Sequence, residues 1–136
     1  MINVLLDVNV LVAAMISSGV CSSILDAWLD GEFDVLVSPR LLAELEEVLA
    51  RKKFEGFVTA EERTQIAELL RSRGILIEDR APERVSRDPD DDYLIALARD
   101  GGAAAIVSGD KDLLVLKVQI PVITPRDFLE ALRRES

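Results

Sequence analysis

The chain has 136 residues, with 25 acidic and 16 basic side chains, a formal net charge of −9, one cysteine and no histidine. Its length and largely apolar composition suit one domain with its own core, and the single Cys21 excludes an internal disulfide. The absence of histidine excludes His-ligated zinc, the Ser-His-Asp and Cys-His nucleophiles and a histidine general base, so any catalysis must use carboxylates, hydroxyls, lysine or an oxygen-bound metal.

The first part of the chain predicts two strands and the helices around them. The apolar run Val4–Leu6 predicts a strand buried on both faces. Helical spacing follows, a break at residues 17–19 ends the first helix, and a second helix is expected to run to Gly31. Residues 1–31 contain no Lys or Arg, which argues against a signal peptide, and Asp7 and Asn9 make the apolar run too short for a membrane span. This apolar start is therefore interpreted as a buried strand and helix. Residues 33–37 predict the second strand, and Ser38 before a proline predicts the N-cap of the next helix.

The rest of the chain repeats this alternation of strand and helix. Three further strands are expected, at residues 75–77, 105–107 and 122–123. Three further helices are expected, and each begins at a residue typical of a helix N-cap: Thr59, Asp88 and Thr124. The pattern predicts an α/β fold with a central, mostly parallel, five-stranded sheet flanked by helices, in a single domain over residues 1–136.

Aspartates follow two of the predicted strands at the edge where open parallel sheets bind ligands. Asp7 comes directly after the first strand, and Asp110 follows the fourth strand through Ser108 and Gly109. A single aspartate after a strand is most often a turn or cap residue, whereas two at corresponding strand ends favour a site. Asp112 lies two residues further on, within reach of the same edge.

Residues 88–92 place four acids at the start of a helix. Acidic side chains at the start of a helix interact favourably with the helix dipole, and this interaction explains the presence of most of these four. Asp91 differs, because Leu94, Ile95 and Ala98 follow it at spacings of three, four and seven and put it on the face that points to the core. A buried carboxylate is costly unless it is paired, hydrogen-bonded or bound to a metal.

The helix after Ser38 carries Glu44, Glu46 and Glu47 beside an apolar stripe. Glu47 faces away from the stripe, and a solvated helix face is the ordinary interpretation of each acid. Helical periodicity leaves the choice between Glu44 and Glu46 open.

Such carboxylates suit Mg²⁺ or Mn²⁺, which prefer oxygen ligands. Two such ions can activate water and stabilise the leaving oxygen of a phosphodiester. The net negative charge argues against a protein that binds nucleic acid through Lys and Arg alone, but acids that hold divalent cations reverse the local sign.

Four segments in this order resemble those of the PIN-domain ribonucleases, especially the VapC-like toxins of bacterial and archaeal toxin–antitoxin pairs. They are LLDVNVLVAA at residues 5–14, VSPRLLAELEEVL at 37–49, DPDDDYLIALA at 88–98 and IVSGDKDLL at 106–114. The last two segments together are the most specific part of the signature. The resemblance spans nearly the whole chain and implies a three-layer PIN-like fold.

The resemblance also implies a set of site residues. The implied catalytic and metal-binding acids are Asp7, Glu44, Asp91 and Asp110, with Asp112 as a further metal ligand and Asn9 and Ser108 as supporting polar residues. It thereby selects Glu44 over Glu46. The implied activity is a Mg²⁺- or Mn²⁺-dependent endoribonuclease acting on single-stranded RNA in the cytoplasm, as a homodimer neutralised by a cognate antitoxin.

Other interpretations compete with this one. A phosphatase of the haloacid dehalogenase type would want a second acid where the chain has Asn9, and a phospho-receiver domain would need an aspartate after a middle strand. A PIN-like module that only binds RNA or protein is the non-enzymatic alternative. Basic residues are candidate RNA contacts as well as ordinary solvated surface: Arg51, Lys52, Lys53, Arg80, Arg84, Arg87 and Lys111. Tyr93 and Trp28 are expected only to pack in the core.

Overall fold

The computed structural model describes residues 2–79, 89–114 and 120–135, without the side chains of residues 89–92. Its strands are β1 (Asn3–Leu6), β2 (Asp34–Val37), β3 (Ile75–Leu76), β4 (Ala105–Val107) and β5 (Val122–Ile123). Its α-helices are α1 (Val8–Ile16), α2 (Val20–Leu29), α3 (Pro39–Leu49), α4 (Ala60–Arg73), α5 (Pro89–Asp100), α6 (Lys111–Leu114) and α7 (Pro125–Glu135). The α/β class and all five predicted strands are confirmed.

The five strands form one sheet in the order β3-β2-β1-β4-β5, and every described pair is parallel. The chain runs outward from β1 to β2 and β3 on one side and returns to β4 and β5 on the other. The order therefore reverses between β1 and β4, and a crevice opens at such a switch point beyond the carboxyl ends of the strands.

The central strand is buried, as its apolar sequence predicts. Val4 and Leu5 of β1 are fully inaccessible, because β1 has a strand on each side and helices on its faces. The helix α5 packs on β1 and β2, and its residues from Tyr93 to Ala98 are all buried. The core therefore holds rigidly the two strand ends that border the crevice.

Local signals fix the helix ends. The Ser38 hydroxyl accepts a hydrogen bond from the Leu41 amide at 3.1 Å, and Thr59 and Glu62 form the predicted capping box. Gly102 follows α5 with φ of +65°, a conformation that glycine adopts without steric cost, and it turns the chain toward β4. The predicted cap Asp88 lies outside the described residues.

Two short elements were not predicted: a 3₁₀-helix at Lys52–Phe54 and the four-residue α6. Each is about one turn long, too short for helical periodicity to be visible in the sequence. In the described ranges no single helix is long and apolar enough to cross a membrane; only α1 and α2 taken together pass by length and composition, with a bend of 97° between them.

Candidate functional site

Asp7 occupies the first position after β1 and is only 6% exposed. Its amide donates a hydrogen bond to the Val107 carbonyl of β4 at 3.0 Å, which fixes it at the switch point. Its side chain caps α1, with Oδ1 accepting from the Asn9 amide at 3.2 Å. The carboxylate is thus held at a helix N-terminus, where the helix dipole favours negative charge.

A chain of hydrogen bonds links Asp7 to the segment after β4. The fully buried Ser108 hydroxyl donates to Asp7 Oδ2 at 2.7 Å and accepts from the Asp110 amide at 3.0 Å. The Asp110 carboxylate in turn accepts from the Asp112 amide at 2.9 Å. We call Asp7, Ser108 and Asp110 the strand-end group; its members come together because β1 and β4 pair in register.

The electrostatics of the strand-end group show a shortage of positive charge. Burial raises the pKa of Asp7 above its ordinary value of 3.8, and the charge of Asp110 raises it further. Hydrogen bonds from Ser108 and Asn9 oppose these effects without cancelling them. A cation between the two carboxylates would offset both the burial of Asp7 and its repulsion by Asp110.

A second pair of side chains joins two helices. The hydroxyl of Tyr93 on α5 donates a short hydrogen bond to Glu44 Oε2 on α3. Tyr93 is 3% exposed, and the Arg40 guanidinium lies over its ring, 4.2 Å from the centroid. We call Glu44 and Tyr93 the helix pair.

The helix pair lies close to the strand-end group. Burial and the bond to Glu44 raise the pKa of Tyr93 so that the phenol stays protonated, while Arg40 opposes this shift. The negative charge of Asp7 also raises the pKa of Tyr93. Tyr93 therefore lies within electrostatic range of both Asp7 and Glu44.

The sequence interpretation of Tyr93 as a packing residue was incomplete, because its hydroxyl contacts a candidate site acid. The available signal was a tyrosine inside an otherwise aliphatic buried stretch, since a buried phenol usually needs a hydrogen-bond partner.

The structure brings some of the predicted site residues together and places others at the surface. Asp7, Ser108 and Asp110 share one chain of bonds, and Glu44 is half-buried beside Tyr93 while Glu46 is exposed. Asn9 and Asp112 have exposed side chains, and their described bonds to the acids come from backbone amides.

Asp91 belongs to the first turn of α5, two residues before Tyr93, but its side chain lies outside the described part of the chain. Among the side chains that are described, no group of three or more Asp, Glu or Cys residues is arranged to hold a metal ion. The oxygen donors around Asp7 are nevertheless of the type that Mg²⁺ and Mn²⁺ bind.

A cavity of about 320 Å³ lies along α3 beside the helix pair, and Arg40, Glu44, Glu47 and Arg51 contribute its polar lining. It places a candidate site acid beside two arginines, one in the first turn of α3 and one just after its end. The basic candidates Arg80, Arg84 and Arg87 lie outside the described residues.

Comparison with known proteins gives one family and several solved structures that share one fold. Residues 3–112 match the family described as PIN domain. No curated protein matches the sequence. Among solved structures, PAE2754 from Pyrobaculum aerophilum is similar with a TM-score of 0.65 and 18% identity, over 98% of this chain and 90% of that one.

Two further structures share the fold. VapBC2 from Rickettsia felis, bound to a DNA fragment from their promoter, is similar with a TM-score of 0.63 and 17% identity, over 90% of this chain and 98% of that one. FitAcB from Neisseria gonorrhoeae is similar with a TM-score of 0.54 and 16% identity over the same two shares, 90% and 98%. At these identities the similarities establish a common fold.

Proposed function

The chain belongs to the PIN domain family, and we propose that it is a metal-dependent endoribonuclease, the toxin of a toxin–antitoxin pair. The matched residues 3–112 include every proposed site residue, and we treat residues 1–136 as one PIN domain. The strand-end group is the observation on which the proposal rests. It places a buried carboxylate and a second acid at the switch point of a parallel sheet, where ligands of α/β proteins bind.

The proposed residues for holding Mg²⁺ or Mn²⁺ are Asp7, Glu44, Asp91 and Asp110, with Asp112 as a further ligand. When bound, such ions lower the pKa of water and stabilise the leaving oxygen of a phosphodiester. Oxygen donors without histidine or cysteine suit these hard cations, and the raised pKa of Asp7 supports a cation at this place.

The residues of the chain perform the supporting tasks. Ser108 fixes one oxygen of Asp7 and the Asn9 amide fixes the other, so the carboxylate cannot rotate away from the crevice. Ser108 also accepts from the Asp110 amide, which holds the second acid close to the first. Positioning of this kind lowers the barrier because the site does not reorganise during the reaction.

We propose single-stranded RNA as the substrate. Arg40 and Arg51 line a cavity that also contains Glu44. Arginines bind phosphate groups, so the backbone of a single RNA strand fits this cavity beside a candidate catalytic acid. A single strand also leaves its bases unstacked and accessible to a protein, whereas an RNA duplex is recognised mainly by its shape.

The partners follow from the family and the shared fold. We propose a cognate antitoxin protein as the inhibitor, a homodimer as the assembly and the cytoplasm as the location. VapBC2, with which the chain shares its fold, was solved on promoter DNA, and this supports a search for an antitoxin that binds both the chain and DNA.

The test is RNA cleavage with Mn²⁺ by the wild type, by Asp7→Asn and by Asp26→Asn, which removes an exposed acid on α2. We expect Asp7→Asn to lower the rate at least about 1,000-fold, because the variant loses the central proposed ligand of the ions that activate water and stabilise the leaving oxygen. Asp26→Asn should match the wild type. Equal cleavage by wild type and Asp7→Asn would refute the assignment; RNA binding without cleavage would favour a binding module, and hydrolysis of phosphate monoesters alone a phosphatase.

A further inference from the structure

Tyr93 is the described residue that connects the acid on α3 with the centre of the site. Its ring is buried in the stretch of α5 that packs on β1 and β2, so the position of its hydroxyl is set by the core. That hydroxyl donates to Glu44 Oε2 across 49 positions of sequence. Because the core fixes the Tyr93 hydroxyl, this hydrogen bond restricts the movement of the Glu44 carboxylate.

The Glu44 carboxylate is less constrained by its position in the fold than the Asp7 carboxylate is. Asp7 is attached directly to a strand end and has both carboxylate oxygens bonded. Glu44 is half-buried on a helix, with a longer side chain that loses more rotamer freedom when it is fixed. The bond from Tyr93 occupies one oxygen of Glu44 and orients the carboxylate.

Arg40 completes the arrangement from the other side. Its guanidinium stacks on the Tyr93 ring at 4.2 Å, and its backbone amide donates to Asp79 Oδ2 at 2.8 Å. Arg40 is one residue before Leu41, which is fully buried in the core. The ring of Tyr93 is therefore enclosed between the core and an arginine on the same helix as Glu44.

We propose that Tyr93 is a positioning residue, which holds the Glu44 carboxylate in the orientation needed to bind a divalent cation together with the strand-end group. This inference rests on the proposed function, because it requires that Glu44 serves a bound cation. Tyr93 itself touches neither the cation nor the RNA in this arrangement; it acts through Glu44.

The experiment removes only the hydroxyl, with Tyr93→Phe, and measures Mn²⁺ affinity by isothermal titration calorimetry as well as RNA cleavage. Loss of an outer hydrogen bond to a metal ligand typically weakens metal binding about 10- to 100-fold, and we expect about 10-fold here. The Mn²⁺ concentration for half-maximal cleavage should rise by the same factor. Thermal unfolding without metal checks that the fold is kept, and Glu46→Gln is the matched control for loss of an acid from α3.

A double-mutant cycle separates positioning from packing. In the Glu44→Gln background, Tyr93→Phe should have no further effect on Mn²⁺ affinity, because the carboxylate that it orients is gone. An equal loss in both backgrounds would overturn the inference and assign Tyr93 a purely structural role. Unchanged Mn²⁺ affinity in Tyr93→Phe, with a clear loss in Glu44→Gln, would also overturn it while leaving the proposed function intact. Absence of Mn²⁺ binding by the wild type would overturn both.

Discussion

The strand-end group and the helix pair are held in place by different means. Backbone pairing of β1 with β4 brings Asp7 and Ser108 together, and Ser108 also holds Asp110 on the segment after β4. Glu44 and Tyr93 meet through one side-chain contact between α3 and α5. The first arrangement is fixed as soon as the sheet forms, whereas the second depends on how two helices pack.

The two groups also differ in electrostatic cost. Asp7 is buried, and its raised pKa shows that the fold disfavours its charge. Glu44 is partly exposed and has a phenol donor that stabilises the carboxylate. A buried carboxylate with a raised pKa is typical of a functional site. Burying a charge lowers stability, so its presence is better explained by function than by stability.

Loss of the acid of the helix pair should have the largest effect on cleavage after Asp7→Asn. Glu44→Gln should lower Mn²⁺-dependent RNA cleavage about 100-fold, since a missing ligand costs at least as much as a missing outer partner. The thermal stability of this variant should change little, because the side-chain carbonyl oxygen of the glutamine can still accept the hydrogen bond from the Tyr93 hydroxyl. Glu46→Gln on the same helix is the control, and a comparable loss in that variant would show that helix charge, not position, matters.

Ser108→Ala should reduce the rigidity of the strand-end group. The hydroxyl lowers the pKa of Asp7, so its loss raises that pKa further and shifts the acid limb of the cleavage profile to higher pH. The Asp110 amide also loses an acceptor, and we expect about 1–2 kcal/mol of lost stability and an activity loss of about 3- to 10-fold.

Ser38→Ala is the matched control, because Ser38 is an equally buried hydroxyl that caps α3. It should lose about 1 kcal/mol of stability without a shift in the pH profile. Identical pH profiles for both serine variants would contradict the role assigned to Ser108.

Asp7→Asn should stabilise the protein in the absence of divalent metal. The folded state raises the pKa of Asp7 above 3.8, so it binds the proton more tightly than the unfolded chain does, and stability falls as pH rises through this window. The asparagine carries no charge and should recover about 1 kcal/mol, or about 3–5 °C in Tm, at neutral pH. Added Mn²⁺ should raise the Tm of the wild type only; a lower Tm in metal-free Asp7→Asn would contradict a strained carboxylate.

The smallest effect is expected at the edge of the strand-end group. The side chain of Asp112 is exposed, and its described bond to Asp110 comes from the backbone amide, which Asp112→Asn retains. Cleavage should fall less than about 3-fold, as for other exposed substitutions outside the centre of a site. A loss as large as that of Glu44→Gln would make Asp112 a principal ligand and enlarge the strand-end group.

The difference between the two groups also explains how much could be predicted from the sequence. Caps and breakers act over a few residues, so Ser38, Thr59 and the strand positions were predicted correctly. The position of Asp7 beside the segment after β4 follows from a general rule of fold architecture, since parallel strands end at a common edge. The short α6 has too few residues to show a period.

The contact between Tyr93 and Glu44 could not be predicted from periodicity. It depends on how α3 and α5 lie relative to each other in the folded protein. The sequence of either helix alone does not indicate a contact with a residue 49 positions away. Periodicity likewise left Glu44 and Glu46 undecided; the family resemblance selected Glu44, and its role stays a prediction. Asp91 also stays a prediction, since its side chain is outside the described part of the chain.

The most direct test of the central claim is anomalous diffraction from crystals grown with Mn²⁺. We expect an anomalous peak at the switch point, with carboxylate oxygens of Asp7 and Asp110 at about 2.1 Å from the ion and Asp91 directed toward it. Crystals of Asp7→Asn should lack this peak. A saturating Mn²⁺ concentration that leaves the crevice without a peak, or an Asp91 side chain turned to solvent and far from Asp7, would contradict the account.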